Sequence, residues 1–275
     1  MTLYERYPGA AVVTGASAGI GESFAKSLAK EGFPLILVAR RGEILENLAQ
    51  ELREQHSVDV EVVAVDLTVS SAGETVQAVV DEKGWKVSVL VNNAGIGHLC
   101  AHDELERNRA LRMVDLNCRA AVDLTSRFLP AMLEEGRGAI LFLASTLSYQ
   151  AAPYMSLYAA TKGFNLLFAE GLYVECKQRG VDVLAVSPGY TETEFAQVAE
   201  VDVRVPRFLA ATPEQVVRKS WRKLGRRPST VHGFWNSMLP FVRRFVSRRF
   251  ADWVFGKVVR RSSPKLLGQR DLGET

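Results

Sequence analysis

The sequence has few cysteines, no long apolar run and no internal repeat, and each shortage excludes a class of protein. Its three cysteines, Cys100, Cys118 and Cys176, are odd in number and far apart, so they exclude a disulfide framework and we expect reduced thiols. No apolar run approaches the roughly 20 residues that span a bilayer. Residues 1–8 are polar and lack the apolar core of a signal peptide. We therefore predict a cytoplasmic protein.

The composition is that of a folded protein whose charge is unevenly distributed. Of the 275 residues, 47% are hydrophobic and 24% are charged, a balance typical of a domain with a buried core and not of a disordered chain. Residues 204–275 contain 17 Lys and Arg against 4 Asp and Glu, whereas residues 1–203 contain 17 against 27. The last quarter of the chain is therefore a basic appendage on an acidic body.

Short apolar segments rich in β-branched residues alternate with longer amphipathic segments along most of the chain. This alternation predicts an α/β fold, a doubly wound parallel sheet in a Rossmann-type three-layer α/β/α sandwich. The predicted strands are residues 10–14, 34–39, 58–65, 87–91, 139–144 and 181–186, with a short edge strand at 229–232. The predicted helices are residues 21–31, 43–55, 71–82, 109–134, 156–178 and 213–224.

We predict one dinucleotide-binding and catalytic domain over residues 1–261, since the length suits a single domain of this kind. The domain includes a basic C-terminal extension at about residues 234–261. Residues 192–212 lack periodicity and are interpreted as a lid. Residues 262–275 are predicted to form a disordered tail.

The segment that follows the first predicted strand indicates a phosphate site. It reads TGASAGIG over residues 14–21 and leads directly into an amphipathic helix. Glycine lets the backbone approach phosphates closely, and the N–H groups at a helix start favour an anion. The predicted phosphate-binding residues are Gly15, Ser17, Gly19, Ile20 and Gly21. Taken alone, this loop indicates only a nucleotide.

Two arginines, Arg40 and Arg41, stand at the end of the second predicted strand. An acid at that point would hold the ribose hydroxyl of NAD and repel a 2′-phosphate, whereas guanidinium groups bind the phosphate of NADP. The sequence therefore favours NADP(H). The alternative is a solvated pair of arginines that caps a strand.

Tyr158 and Lys162 are four residues apart in a predicted helix, so their side chains share one face. An ammonium beside a phenol stabilises the phenolate, and we expect Lys162 to lower the pKa of Tyr158. Ser145 follows the fifth predicted strand and lies at the carboxyl edge of the sheet, where α/β proteins bind ligands. By itself the tyrosine and lysine pair could be incidental, because such pairs are common on helices.

Five ordered motifs over about residues 10–195 resemble the short-chain dehydrogenase/reductase family. They are TGASAGIG, Asn92-Asn93-Ala94-Gly95, Ser145 thirteen residues before Tyr158, Tyr158-x-x-x-Lys162, and Pro188-Gly189. The resemblance implies that hydride passes between NADP(H) and a carbonyl carbon while Tyr158 protonates the carbonyl oxygen. It also implies that Ser145 polarises that oxygen and that Lys162 binds the nicotinamide ribose.

The same resemblance implies the rest of the site. Asn117 completes a catalytic tetrad by holding a water in the proton relay, and Asp66 contacts adenine. Glu192 is unusual for the family, so Thr193 is a stronger ligand candidate than Thr191. The cofactor residues implied, besides the phosphate loop, the two arginines, Tyr158 and Lys162, are Asp66, Leu67, Asn93, Ala94, Gly95, Pro188, Gly189, Thr191 and Thr193.

The expected substrate is a lipophilic ketone, either a 3-oxoacyl thioester or a steroid-like carbonyl, and the reverse reaction would oxidise the alcohol. The alternative is a non-catalytic NADP(H)-binding regulatory or scaffold protein, which an intact tetrad disfavours. The family implies a homodimer or homotetramer built on the two longest helices. We expect no metal site, since the spacing of His98, Cys100 and His102 fits no zinc pattern, and no nucleic-acid partner, since no aromatic platform accompanies the arginines.

The basic extension predicts an amphipathic helix. Its apolar residues recur at steps of three and four, which favours peripheral binding to an anionic membrane. The alternative is that the aromatic residues pack on the body or on a second subunit. The apolar residues of this pattern are Val242, Phe245, Val246, Phe250, Trp253 and Val254.

Overall fold

The computed structural model describes residues 1–195, 199, 210–233, 236–238, 245–263 and 266. Within these residues, seven strands form one sheet in the order β3-β2-β1-β4-β5-β6-β7, and every neighbouring pair is parallel. The predicted doubly wound sheet is confirmed. The strands are β1 (Ala10–Thr14), β2 (Leu35–Ala39), β3 (Val60–Ala64), β4 (Val87–Asn92), β5 (Gly138–Leu143), β6 (Val181–Ser187) and β7 (Ser229–Val231).

Helices cover both faces of the sheet, so its central strands are apolar on both sides. In β1, Ala11 and Val13 join the core cluster beneath α2, α3 and α8, while Val12 joins the cluster beneath α4, α6 and α7. The α-helices of the described residues are α1 (Leu3–Arg6), α2 (Gly19–Lys30), α3 (Gly42–His56), α4 (Ala72–Glu82), α5 (Arg107–Val114), α6 (Ala120–Glu134), α7 (Ser156–Lys177), α8 (Pro213–Lys223) and α9 (Arg248–Ser262).

The helix predicted over residues 109–134 is present as a helical run over 107–134. A π-helical turn, Asp115–Arg119, lies within it between α5 and α6. A π turn accommodates one extra residue, and such turns cluster at functional sites. Here the turn contains Asn117, which is 1% exposed. Apolar periodicity could not reveal this turn, because the flanking helices keep their own amphipathic pattern.

The sheet order reverses direction between β1 and β4, and ligands of α/β proteins bind at the carboxyl edge beside such a switch point. The loops after β1, β4, β5 and β6 all reach this edge because the strands are parallel. These loops carry the predicted phosphate loop, Asn93 to Gly95, Ser145 and Pro188 to Thr193, and the predicted residues after β2 and β3 lie at the same edge.

The C-terminal part adds a third apolar cluster beside α7. Val259 of α9 and Leu266 are buried there with Tyr158 and Met155. Most of the predicted lid and most of the predicted disordered tail lie outside the described residues, although Leu266 of the tail is 1% exposed. No helix in the described part of the chain is long and apolar enough to cross a membrane.

Candidate active site

The loop between β1 and α2 has the backbone of a phosphate cradle. Gly15 and Gly19 have φ values of 65° and 58°, which L side chains rarely adopt. A Cβ on Gly21 would collide with the carbonyl oxygen of Gly15 and lie 2.5 Å from Nδ2 of Asn93. Ala18 gives α2 no side-chain cap, so the first N–H groups of the helix are left for an anion. These features fit a dinucleotide pyrophosphate.

Thr14 and Asn93 join this loop to the loop after β4. The Thr14 hydroxyl donates to the carbonyl oxygen of Val91 (3.1 Å) and accepts the N–H groups of Asn93 (2.9 Å) and Ala94 (3.0 Å). The Asn93 amide donates to the carbonyl oxygens of Thr14 (2.8 Å) and Gly15 (3.2 Å). The next glycine, Gly95, lies beside the lysine of α7, since a Cβ there would be 3.0 Å from Nζ of Lys162.

Tyr158 and Lys162 lie one turn apart on α7, and the chain after β5 brings Ser145 to them. The Ser145 side chain lies close enough to the Tyr158 phenol to lower its pKa, and its Oγ accepts the N–H of Leu147 (3.1 Å). Lys162 donates from Nζ to the carbonyl oxygen of Leu143 (2.7 Å) and lies 6.0 Å from the Tyr158 ring centroid. The structure thus assembles three of the four predicted tetrad residues directly.

Burial controls the protonation of this pair. Desolvation raises the pKa of Tyr158 to about 12, although the nearby Ser145 side chain acts in the opposite direction. Desolvation also lowers the pKa of Lys162 to about 8. The expected lowering of the Tyr158 pKa by Lys162 is not found: burial raises this pKa, and the opposing contribution comes from Ser145. Tyr158 therefore keeps its proton at neutral pH, which is the form that can donate to a carbonyl oxygen.

Asn117, the fourth tetrad residue, is fixed by hydrogen bonds on both sides of its amide. Oδ1 accepts the N–H of Ile96 (2.9 Å), while Nδ2 donates to the Ile96 carbonyl oxygen (2.9 Å) and to Oγ1 of Thr161 (2.9 Å). The Thr161 hydroxyl in turn donates to the carbonyl oxygen of Tyr158 (2.8 Å). A hydrogen-bonded chain thus connects the π turn to α7.

The two arginines after β2 differ in their surroundings. Arg41 donates from Nη2 to the carbonyl oxygen (3.0 Å) and Oγ (3.1 Å) of Ser17, and from Nη1 to Oε2 of Glu194 (2.9 Å). Arg40 is exposed, and its side chain makes no hydrogen bond or ion pair to the described residues. Arg41, and not Arg40, therefore lies against the phosphate loop.

The predicted adenine residues also lie at this edge. Asp66 accepts from the N–H (3.0 Å) and the hydroxyl (2.8 Å) of Thr68, and it pairs with Arg112 (2.8 Å). Partial burial opposes ionisation, but these partners outweigh it and hold the pKa of Asp66 below its usual range. Leu67 is buried, and its carbonyl oxygen accepts from Arg119 (3.0 Å).

The segment after β6 crosses the site. The carbonyl oxygen of Pro188 accepts the N–H of Thr146 (3.0 Å), and that of Gly189 accepts the Thr191 hydroxyl (3.1 Å). A Cβ on Gly19 would lie 2.7 Å from Cγ2 of Thr193. Of the two candidate threonines, Thr193 is thus the one placed against the phosphate loop.

A small cleft of about 10 Å³ opens beside Tyr158. Phe195 packs near Tyr158 with a ring-centroid distance of 5.4 Å. Tyr154 has a φ of 67°, a strained conformation for a bulky residue that is often found at functional sites. The residues that line the cleft include His98, Cys100, His102, Met113, Tyr154, Met155 and Tyr158.

Four residues of the site had no signal in the sequence. Thr161, Glu194, Phe195 and Arg112 act through contacts with Asn117, Arg41, Tyr158 and Asp66, which are distant in the chain. Thr161 lies within the Tyr158-x-x-x-Lys162 motif, and Glu194 and Phe195 directly follow the predicted Thr193.

Comparison with known proteins decides the family. Residues 9–203 match the short chain dehydrogenase family. The chain belongs to that family. It is 33% identical over 254 residues to the very-long-chain 3-oxoacyl-CoA reductase of Anas platyrhynchos, covering 89% of this chain and 74% of the relative. The corresponding Homo sapiens protein is 28% identical over 257 residues, covering 90% and 78%.

Solved structures agree with this family. A 7beta-hydroxysteroid dehydrogenase superposes with a TM-score of 0.85 at 26% identity, covering 93% of this chain and 100% of that chain. A short-chain dehydrogenase from Sphingobium yanoikuyae in complex with NADPH gives a TM-score of 0.76 at 30% identity, covering 86% and 94%. The resemblance drawn from the motifs is confirmed, and this short chain dehydrogenase is an oxidoreductase. The non-catalytic alternative is not supported.

Proposed function

We propose that this short chain dehydrogenase is an NADP(H)-dependent reductase of 3-oxoacyl thioesters with long acyl chains. The observation that carries the proposal is a buried Tyr158 that keeps its proton at neutral pH, close to Ser145 and Lys162, and that lines a small cleft. The names of the relatives support the thioester, and the NADPH complex of a structural neighbour supports the cofactor. A steroid-like ketone is the second substrate class.

Each residue then has a role in reducing the carbonyl group. The bound cofactor supplies the hydride. Ser145 donates a hydrogen bond to the carbonyl oxygen, Tyr158 transfers its proton to that oxygen, and the product is the secondary alcohol. Lys162 binds the nicotinamide ribose and favours the phenolate left behind, while Asn117 orders the relay that returns a proton.

The remaining residues hold the cofactor. Gly15, Ser17, Gly19, Ile20 and Gly21 bind the pyrophosphate, and Arg41, with Arg40 beside it, binds the 2′-phosphate. Their N–H and guanidinium groups are the donors that phosphates prefer. Asp66 and Leu67 are assigned to adenine. The residues assigned to the nicotinamide end are Asn93, Ala94, Gly95, Pro188, Gly189, Thr191 and Thr193.

A substrate panel tests the proposed reaction. NADPH consumption is measured with 3-oxoacyl-CoA thioesters of short, medium and very long chain and with a steroid ketone. We expect kcat/KM to rise with chain length, and Tyr158→Phe to lower kcat by about 10²–10⁴-fold while the Kd for NADP⁺ stays within a few-fold. Near-normal turnover by Tyr158→Phe would remove it as the proton donor, and activity confined to the steroid would replace the thioester.

A second proposal concerns location: we infer that α9 binds the cytoplasmic protein peripherally to an anionic lipid surface. The inner face of α9 packs on the body through Phe255 and Val259. Its outer face exposes Phe250, Trp253 and Val258, which are 57%, 42% and 55% accessible. A large part of each of these side chains is therefore open to solvent. Val242, Arg243 and Arg244, which belong to the same predicted pattern, lie outside the described residues.

The positive charge on the exposed face of α9 favours an anionic lipid surface as its partner. Lys257 and Arg261 fall within the exposed stripe at helical spacing, and Nζ of Lys257 lies 3.9 Å from the Trp253 ring centroid. Basic residues mixed with aromatic residues are typical of helices that lie in a membrane interface. Sedimentation with anionic vesicles tests the proposal.

For the oligomer we propose a homodimer or homotetramer through α7. Its outer face exposes Phe164, Leu167 and Val174, the last two at 70% and 73%. The spacing places them on one stripe with Gly171, where an added Cβ would meet nothing within 4 Å. Such a flat apolar stripe suits a partner helix.

A further inference from the structure

The short segment of residues 193–195 contacts the phosphate loop, Arg41 and Tyr158. In the order of the chain, Thr193 lies against Gly19 of the phosphate loop, Glu194 pairs with Arg41, and Phe195 stacks near Tyr158. Phe195 is tied back by its N–H to the Thr193 hydroxyl (3.3 Å). A change in the contacts of any of these three residues therefore changes the surroundings of the proposed cofactor site.

Each of the three guanidinium nitrogens of Arg41 already has a partner. Nε and Nη2 bind Ser17, and Nη1 binds the carboxylate of Glu194 at 2.9 Å. A 2′-phosphate with nearly two negative charges would need the same donors. The Glu194 carboxylate and the 2′-phosphate are therefore alternative anions for one cation.

We propose that Glu194 is a specificity-determining residue, a built-in counter-ion that competes with the 2′-phosphate of NADP(H) for Arg41. The inference rests on the proposed 2′-phosphate site at Arg41. NAD(H) has no 2′-phosphate and leaves the Glu194–Arg41 pair in place, whereas NADP(H) must displace it. Glu194 thus weakens the binding of NADP(H) selectively and limits the preference for it.

The pair is weak enough to be exchanged. The side chains of Arg41 and Glu194 are 42% and 54% exposed, and exposed ion pairs contribute little because water and salt screen them. Arginine and phosphate form stronger, bidentate contacts. The 2′-phosphate of NADP(H) therefore displaces Glu194 from Arg41. The displacement lowers the affinity for NADP(H) by a small factor.

Calorimetric titration tests the competition without any turnover. The ligands are NADP⁺, NAD⁺ and adenosine 2′,5′-bisphosphate, which carries the 2′-phosphate but no nicotinamide. We expect Glu194→Gln to lower the Kd of NADP⁺ and of the bisphosphate about two- to five-fold, the range of an exposed ion pair, and to leave that of NAD⁺ unchanged. The gain should shrink as ionic strength rises.

Glu192→Gln is the matched control, because Glu192 is an exposed acid two residues away whose side chain has no ion pair among the described residues. The same charge change at Glu192 should leave all three Kd values in place. An equal gain in Glu192→Gln would show general electrostatics, and an unchanged or raised Kd for NADP⁺ in Glu194→Gln would overturn the proposal.

Arg41→Ala separates this inference from the site on which it rests. We expect it to weaken NADP⁺ and to abolish the effect of Glu194→Gln in the double variant. If Arg41→Ala leaves the Kd of NADP⁺ unchanged, the 2′-phosphate site is wrongly assigned. If Arg41→Ala weakens NADP⁺ but Glu194→Gln does not strengthen it, only the competition is wrong.

Discussion

At the scale of single residues, Tyr158 and Lys162 combine two buried ionisable groups whose neutral forms are favoured by the same desolvation. Lys162 is 5% exposed, and its pKa falls from 10.5 to about 8. At roughly 1.4 kcal/mol per unit, the charged lysine costs the fold on the order of 3 kcal/mol below pH 8. The site therefore trades stability for a lysine that can lose or gain a proton near neutrality.

Removal of this lysine should consequently stabilise the protein while inactivating it. We expect Lys162→Met to raise the free energy of unfolding at pH 7 by about 1–2 kcal/mol, since the Leu143 carbonyl oxygen loses its partner and offsets part of the gain. The depressed pKa gives the sign of the pH dependence. The stability gain of Lys162→Met over wild type is complete below pH 8. It fades between pH 8 and pH 10.5, because the lysine of the folded wild type becomes neutral while that of the unfolded chain is still charged.

Urea denaturation at pH 7 and pH 10 measures this difference. Lys177→Met on the same helix is the control, because Lys177 is exposed and its removal should give no pH-dependent gap. A Lys162→Met protein whose advantage is the same at both pH values, or which is less stable at pH 7, contradicts the assigned burial cost.

At the scale of elements, the local sequence pattern predicted the strands and helices. It did not predict the contacts that connect distant parts of the site. The strand predicted at residues 181–186 runs Val181–Ser187, because a buried parallel strand is a continuous apolar run. The Glu194–Arg41 pair spans 153 positions, and no local period encodes it. The Tyr158 and Lys162 motif predicted their proximity, but the burial that sets their pKa values depends on how distant segments pack over α7.

The exposed face of α9 gives a prediction for that element. Trp253→Asp places a negative charge on the stripe proposed to bind lipid, so we expect it to abolish sedimentation with anionic vesicles at low ionic strength. Ile44→Asp on α3 is the control, since Ile44 is 41% exposed against 42% for Trp253. Wild-type binding should weaken as salt is added or as neutral lipid replaces anionic lipid.

Two results would contradict the lipid proposal. One is wild-type protein that stays in the supernatant with anionic vesicles at low ionic strength. The other is Trp253→Asp protein that sediments like wild type but changes its oligomeric size, which would make the α9 face a contact between subunits.

At the scale of the whole molecule, the stripe on α7 predicts the assembly. We expect Leu167→Arg to convert the oligomer to monomers in analytical ultracentrifugation, because two copies facing each other across a twofold axis would place two arginines together in an apolar contact. Val69→Arg is the control, since Val69 is 50% exposed and lies outside α7. Cofactor affinity should survive in the monomer, because none of the proposed cofactor residues belongs to the stripe. A wild-type protein that is already monomeric would contradict the proposed oligomer, and a Leu167→Arg protein of unchanged mass would place the subunit contact elsewhere.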